Sequence, residues 1–272
     1  GTPLEELAIA GPPRPPSGFE VERTAVLSPA ADQPETSKVL AVPAYEWVLG
    51  CSAVSSAMIA GYYDRNGFPQ LYTGPANGGV APLDGSAWPY WSDGYEYFPG
   101  NPLVGSRNGL DGRTTRGTID DYWVRYGSSS KDPYITRGWV EHTWGSAVGD
   151  YMKTSQSAYG NVDGETTYTL LSNSGYPLTC SMMAQYGDWV DDGTYGRKLF
   201  YEARGYTVTD CYNQRTDNLG SGFSYAMYKA EIDAGHPVLT NLAGHSIVGV
   251  GYNTTNSQVY IHDTWDTNTY SM

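Results

Sequence analysis

Positive charge is scarce in this chain: 16 Lys and Arg stand against 29 Asp and Glu, a formal net charge of -13. That deficit excludes a protein that neutralises nucleic-acid phosphates or lies on an anionic membrane surface. Long apolar runs are missing as well. None approaches the roughly 18 residues of a membrane-spanning helix, and the N-terminus shows no charged region followed by an apolar core, so the reading is a soluble chain from which any signal peptide has gone. Heptads and internal repeats are absent, and charged residues stop at 17%, which excludes a helical bundle. Phe contributes only 5 residues, whereas Tyr contributes 24 and Gly 33. Such a supply points to amphipathic rings buried in loop-rich structure. The 272 residues suffice for one large domain or two small ones, burying about three quarters of the unfolded surface without staples.

Residues 1–42 carry Pro3, Pro12, Pro13, Pro15, Pro16, Pro29 and Pro34 without an apolar period and read as an extended, polyproline-like linker, stalk or pro-segment. Phe19, Val21 and Val26 are the apolar anchors by which such a segment would dock against the rest of the chain. Residues 43–272 form the expected folded domain. Val54, Ala57, Met58, Gly61 and Tyr62 fall at helical spacing, and Asn66-Gly67 is a stop signal, which predicts a helix over 51–64. Residues 68–112 read as a long irregular excursion. Shorter helices are expected over 118–126, 146–155, 196–204 and 223–234, and strands over 237–242, 246–252 and 258–263, with Asn253 to Asn256 as a turn.

Only three cysteines are present, so at most two can pair. Cys180 and Cys211 sit in short strand-like alternations and are the expected disulfide; with the composition, this suggests an exported protein, extracellular or at the cell surface. Cys51 follows Gly50 at a helix start, where unpaired N–H groups and the helix dipole favour thiolate. A thiol there is either a nucleophile or a small buried hydrophobe. His245 heads an apolar strand that would anchor it as a general base. Asp263 ends the neighbouring strand, close to opposite His245 across the expected hairpin.

Two runs carry a resemblance. Gly244–Tyr252 (GHSIVGVGY) with Val259–Trp265 (VYIHDTW) resembles the His and Asn/Asp segments of papain-like cysteine peptidases, with Asp263-Thr264-Trp265 in place of Asn-Ser-Trp. Tyr45–Asp64 (YEWVLGCSAVSSAMIAGYYD) resembles the nucleophile helix of the bacterial branch that includes the bacteriocin-leader (double-glycine) peptidases. The resemblance implies an α+β papain-like fold, with the nucleophile helix packed on a C-terminal antiparallel sheet and the Tyr/Trp/Gly-rich stretch inserted. It implies Cys51 as nucleophile, His245 as base and then acid, Asp263 as its orienter and Trp265 as a lid over the pair. A thiol–imidazole pair supplies thiolate at neutral pH, and a neighbouring carboxylate fixes the tautomer.

In one place the pattern is broken. Papain-like enzymes place a Gln shortly before the nucleophile to donate to the oxyanion, and here the chain reads Ala44-Tyr45-Glu46-Trp47-Val48. Glu46 held neutral, Tyr45 or backbone N–H groups would have to serve, or the activity is weak or lost. Trp88, Trp91 and Tyr95 either line a substrate groove or form ordinary core. His142 and His236 lack partners at metal-ligand spacing and His262 points to the strand face opposite Asp263, so no catalytic metal or cofactor is expected; the acidic stretch 188–193 misses the spacing of an EF-hand loop, which leaves a structural calcium there open but without support. The expected partner is a peptide or protein substrate, acted on by a monomer. Rival readings keep the same three residues for another acyl transfer (amidase, cell-wall peptide hydrolase or transpeptidase), or make the chain a non-catalytic surface module descended from a peptidase.

Overall fold

The computed structural model describes residues 3–11, 14–15, 24–25, 36–48, 50–74, 76–88, 90–92, 97–104, 147–155, 159–161, 164–216 and 219–272. The Pro-rich region, expected as extended, polyproline-like chain, opens with a paired strand, β1 (Leu4–Ile9); β2 (Thr24–Ala25) and β3 (Ser37–Val39) follow, then helix α1 (Cys51–Arg65). The described residues of 68–112 include two 3-10 turns (Ala76–Gly79, Gly85–Ala87) and the strands β4 (Tyr90–Ser92) and β5 (Tyr97–Pro99). Next come α2 (Val148–Tyr151), β6 (Thr166–Leu171), β7 (Leu178–Thr179), α3 (Cys180–Tyr186), α4 (Gly193–Ala203), β8 (Tyr212–Asn213) and α5 (Tyr225–Ala234). The chain closes with β9 (Val238–Leu242), β10 (His245–Asn253), β11 (Gln258–His262) and β12 (Tyr270–Ser271).

β10 is the centre. The main sheet runs β2-β12-β11-β10-β3, with β9 pairing the first half of β10, and its ladders are antiparallel. Covered on both sides, β10 is buried from His245 to Tyr252, which is why it reads as a near-continuous apolar run. A bulge between Gly249 and Gly251 offsets its pairing with β11. A Cβ at Gly251 would stand 2.3 Å from the Lys38 carbonyl oxygen of β3, so only glycine lets the two backbones approach there.

Helix α1 lies on β10 and is buried nearly all round, from Cys51 to Tyr62. That explains its small residues: the strand side receives Ser52 and Ser55, whose hydroxyls bond Ser246 Oγ at 2.7 Å and Ser246 O at 3.2 Å. At the far end of α1, Asp64 accepts from the backbone of Tyr72 (3.0 Å) and Ala81 (2.9 Å), pinning the irregular stretch that follows. The tyrosines do what their abundance suggested. Tyr45 donates to Pro82 O, Tyr228 to Gly251 O and Tyr225 to Asn253 O, so each ring fills core while its hydroxyl satisfies a carbonyl.

A second group of elements, β6, β7, β8, α3 and α4, is tied by a disulfide between Cys180 and Cys211, whose Cα atoms are 5.4 Å apart. Cys180 opens a helix where a strand was expected: Thr179 accepts from Met182 N and caps α3, ending β7 after two residues. Caps also correct other boundaries. Asp192 caps α4, which begins at Gly193 and not at 196, and Ser224 caps α5, which begins at Tyr225. The helix expected over 146–155 is the single turn α2, because Lys153 and Ser155 adopt positive φ (59° and 55°). The helix expected over 118–126 lies outside the described residues.

Candidate active site

Gly50 sets the position of Cys51. Its φ of 123° turns the incoming chain into α1, and a Cβ there would meet Gly164 O at 2.4 Å. Cys51 is the first residue of the helix, fully buried, with its Sγ accepting from Ser246 N at 3.2 Å. Ser246 Oγ donates to Asn241 Oδ1 (2.6 Å), so the Ser52 hydroxyl supplies the proton of the Ser52–Ser246 bond. This chain of hydroxyls locks α1 to β9 and β10 directly behind the thiol. Cys51 is the free cysteine among the described residues. Burial pushes its thiol up, against the neighbouring Ser246 and Gly11 backbones, which favour thiolate.

His245 begins β10, next to Ser246. Its Nε2 lies 2.7 Å from the main-chain oxygen of Asp263. A carbonyl can only accept, so Nε2 carries the proton and Nδ1 is the acceptor of the neutral ring. Nδ1 faces the thiol: one carbon added at Gly11 would stand 2.2 Å from Cys51 Sγ and 2.6 Å from His245 Nδ1. Sulfur and nitrogen therefore flank the same small space.

Trp265 stacks flat on His245, with ring centroids 3.9 Å apart and planes at 7°. Between Asp263 and Trp265, Thr264 has φ 70°, a costly conformation for a β-branched residue, and this sharp turn presents both the Asp263 carbonyl and the Trp265 ring to the imidazole. The Asp263 side chain, fully buried, accepts from Trp265 N at 3.1 Å. The sequence suggested a carboxylate behind the ring; Nε2 donates to the backbone carbonyl of that same residue. β11 aligns His262 with Val248, so Asp263 reaches His245 by leaving the ladder rather than across it.

The remaining candidates are dispersed. Tyr45 is fully buried and its hydroxyl bonds Pro82 O at 2.8 Å; Glu46 accepts from Tyr90 OH at 2.7 Å. Neither bond is directed at Cys51. The residue whose N–H points beside the nucleophile is Trp47, whose Nε1 donates to Gly11 O at 2.8 Å. Its signal in the sequence is an indole four positions before Cys51, a donor that the Gln pattern does not include. Ser246 is likewise hidden in the sequence, because it acts through its backbone N–H. Trp88 is a core residue, 4% exposed, packed edge-on to Tyr45 and Tyr72 and donating to Tyr72 OH. Trp91 lies in β4, and Tyr95 and His142 lie outside the described residues. His262 is buried and bonded to Pro43 O and Thr269 Oγ1; His236 pairs with Glu231. Asp192 of the acidic stretch is spent internally, on Thr169 N, Tyr195 N and Asn213 Nδ2.

A thiol at a helix start, facing the acceptor nitrogen of an imidazole anchored on the adjoining strand, is the arrangement used by cysteine-dependent hydrolases. The comparison with family models agrees: the Peptidase_C39-like family matches residues 39–272. The chain belongs to that family, papain-like cysteine peptidases of the C39 type. No curated protein and no solved structure matches it. The mixed helices and antiparallel sheets fit an α+β peptidase fold.

Proposed function

We propose that the protein is an exported peptidase that cleaves peptide bonds with Cys51 as nucleophile, His245 as general base and then acid, and Asp263 as the residue that orients the imidazole. The observation that carries this reading is the placement of Cys51 Sγ and His245 Nδ1 against one carbon position at Gly11. His245 Nδ1 takes the thiol proton, Sγ attacks the carbonyl carbon, and the imidazolium returns the proton to the leaving amine; water then releases the acyl group. The Asp263 carbonyl holds the proton on Nε2 throughout, and the Trp265 stack keeps the ring in plane. The Cys180–Cys211 bridge supports an oxidising compartment.

Replacing Cys51 by Ala removes the sulfur with little packing loss, so hydrolysis of a peptide library by the purified chain falls to background while the melting temperature is retained. His245→Ala gives the same loss. Hydrolysis that persists in either variant rejects the assignment.

A further inference from the structure

Residues 4–11 precede the family match, yet they run into the site. β1 pairs antiparallel along all of β6, from Leu4 opposite Leu171 to Ile9 opposite Thr166. Its side chains alternate at the inner end: Ala8 is exposed, while Leu7 packs against the main core and Ile9 is fully buried in it. Two residues on, Gly11 lies against the thiol. Its carbonyl oxygen receives the Trp47 indole N–H at 2.8 Å, its backbone favours the thiolate form of Cys51, and any side chain would collide with Sγ and Nδ1.

An extended peptide awaiting attack needs these same contacts: backbone pairing with an exposed strand edge, an apolar anchor in a pocket, and a fixed donor on a carbonyl oxygen beside the nucleophile. We propose that residues 4–11 fill the substrate cleft as a substrate mimic, that the edge of β6 is the strand on which a peptide substrate pairs, and that the Trp47 indole N–H holds the carbonyl oxygen beside Cys51.

This rests on Cys51 being the nucleophile. It also answers the missing Gln. The indole nitrogen is a donor only and carries no charge at any working pH, whereas an ionised Glu46 would repel an oxyanion. Trp47 is 4% exposed with residues 4–11 in place, and a Cβ at Gly164 would stand 3.3 Å from its ring. Held in this way, residues 4–11 keep Cys51 covered and compete with any peptide offered in solution.

Alkylation of Cys51 by iodoacetamide, followed by mass spectrometry on the full chain, reads the cover directly, since Cys180 and Cys211 are paired. Gly11→Leu forces its side chain into the space of Sγ, and Ile9→Ser removes the buried anchor; each releases the segment and speeds alkylation at least tenfold over the parent chain. A synthetic peptide amide with the sequence of residues 4–11, added to either variant, slows alkylation again. Trp47→Phe combined with Gly11→Leu raises the peptide concentration for half-protection about fivefold, the loss of one hydrogen bond. Equal alkylation rates in the parent and both variants overturn the mimic, absence of protection by the peptide in both variants overturns the β6 cleft, and unchanged half-protection removes Trp47 from the role. None of these measurements requires hydrolysis, so they stand or fall separately from the peptidase assignment.

Discussion

Asp263 contributes to the site twice, by its carbonyl on His245 Nε2 and by its carboxylate on Trp265 N. The first contact survives any substitution and the second does not, which separates two variants. Asp263→Asn keeps an oxygen for the Trp265 N–H and holds the Thr264 turn, so its kcat/KM stays within about tenfold of the parent, the range of one weakened hydrogen bond. Asp263→Ala leaves that N–H without its acceptor and frees the strained turn, so the Trp265 ring drifts off the imidazole and the loss exceeds that of Asn. Steady-state rates on a common peptide check the order; an Ala variant as active as Asn shows that the side chain does not hold the turn.

Elements that carry a local pattern of their own are legible in the amino-acid order alone. Helix α1 and strands β10 and β11 are of this kind: one carries helical spacing and a Gly stop, the others an unbroken or alternating apolar run, and with them come Cys51, His245 and Asp263. β1 is not legible. Leu4, Leu7 and Ile9 are interrupted by Glu5 and Glu6, and their partner β6 lies far along the chain, so tertiary pairing and not local pattern makes the strand. The donors at the site are hidden for a related reason, since they are the Ser246 backbone and an indole, and neither is an amide side chain at the expected spacing. The same long-range packing sets the cost of changes within elements. At Gly251, where β10 and β3 approach, Gly251→Ala drives a Cβ into the Lys38 carbonyl and costs about 1–3 kcal/mol as overpacking. Reducing the Cys180–Cys211 bridge, with a sequence separation of 31, costs about 3–4 kcal/mol on the chain-entropy model. Urea titrations of the variant and of the reduced chain measure both, and a midpoint unmoved by reduction shows that α3 and β8 are held by packing alone.

Across the whole molecule, two buried groups bias stability with pH in opposite directions. Burial holds His262 down at about 4, while its ring bonds Pro43 O and Thr269 Oγ1. Its unfolded value is near 6.5, so its contribution is full above that pH and is lost as pH falls through 4. Asp192 is pushed the other way, to about 6, by burial that outweighs its bonds from the Thr169 and Tyr195 backbones and Asn213. The folded chain then binds the Asp192 proton more readily than the unfolded chain, so this contribution is full below the unfolded value near 3.9 and is lost as pH rises through 6. Between pH 4 and 6 the two slopes oppose, and shifts of similar size cancel within the parent chain. Single substitutions separate them. Relative to the parent, His262→Gln gains stability on moving from pH 7 to pH 4.5, and Asp192→Asn loses it, each on the order of 2 kcal/mol. Urea unfolding of the three proteins at both pH values cancels the contributions of every other titrating group. Differences from the parent that stay constant with pH reject both burial shifts, and a change confined to one variant identifies which group titrates in the fold.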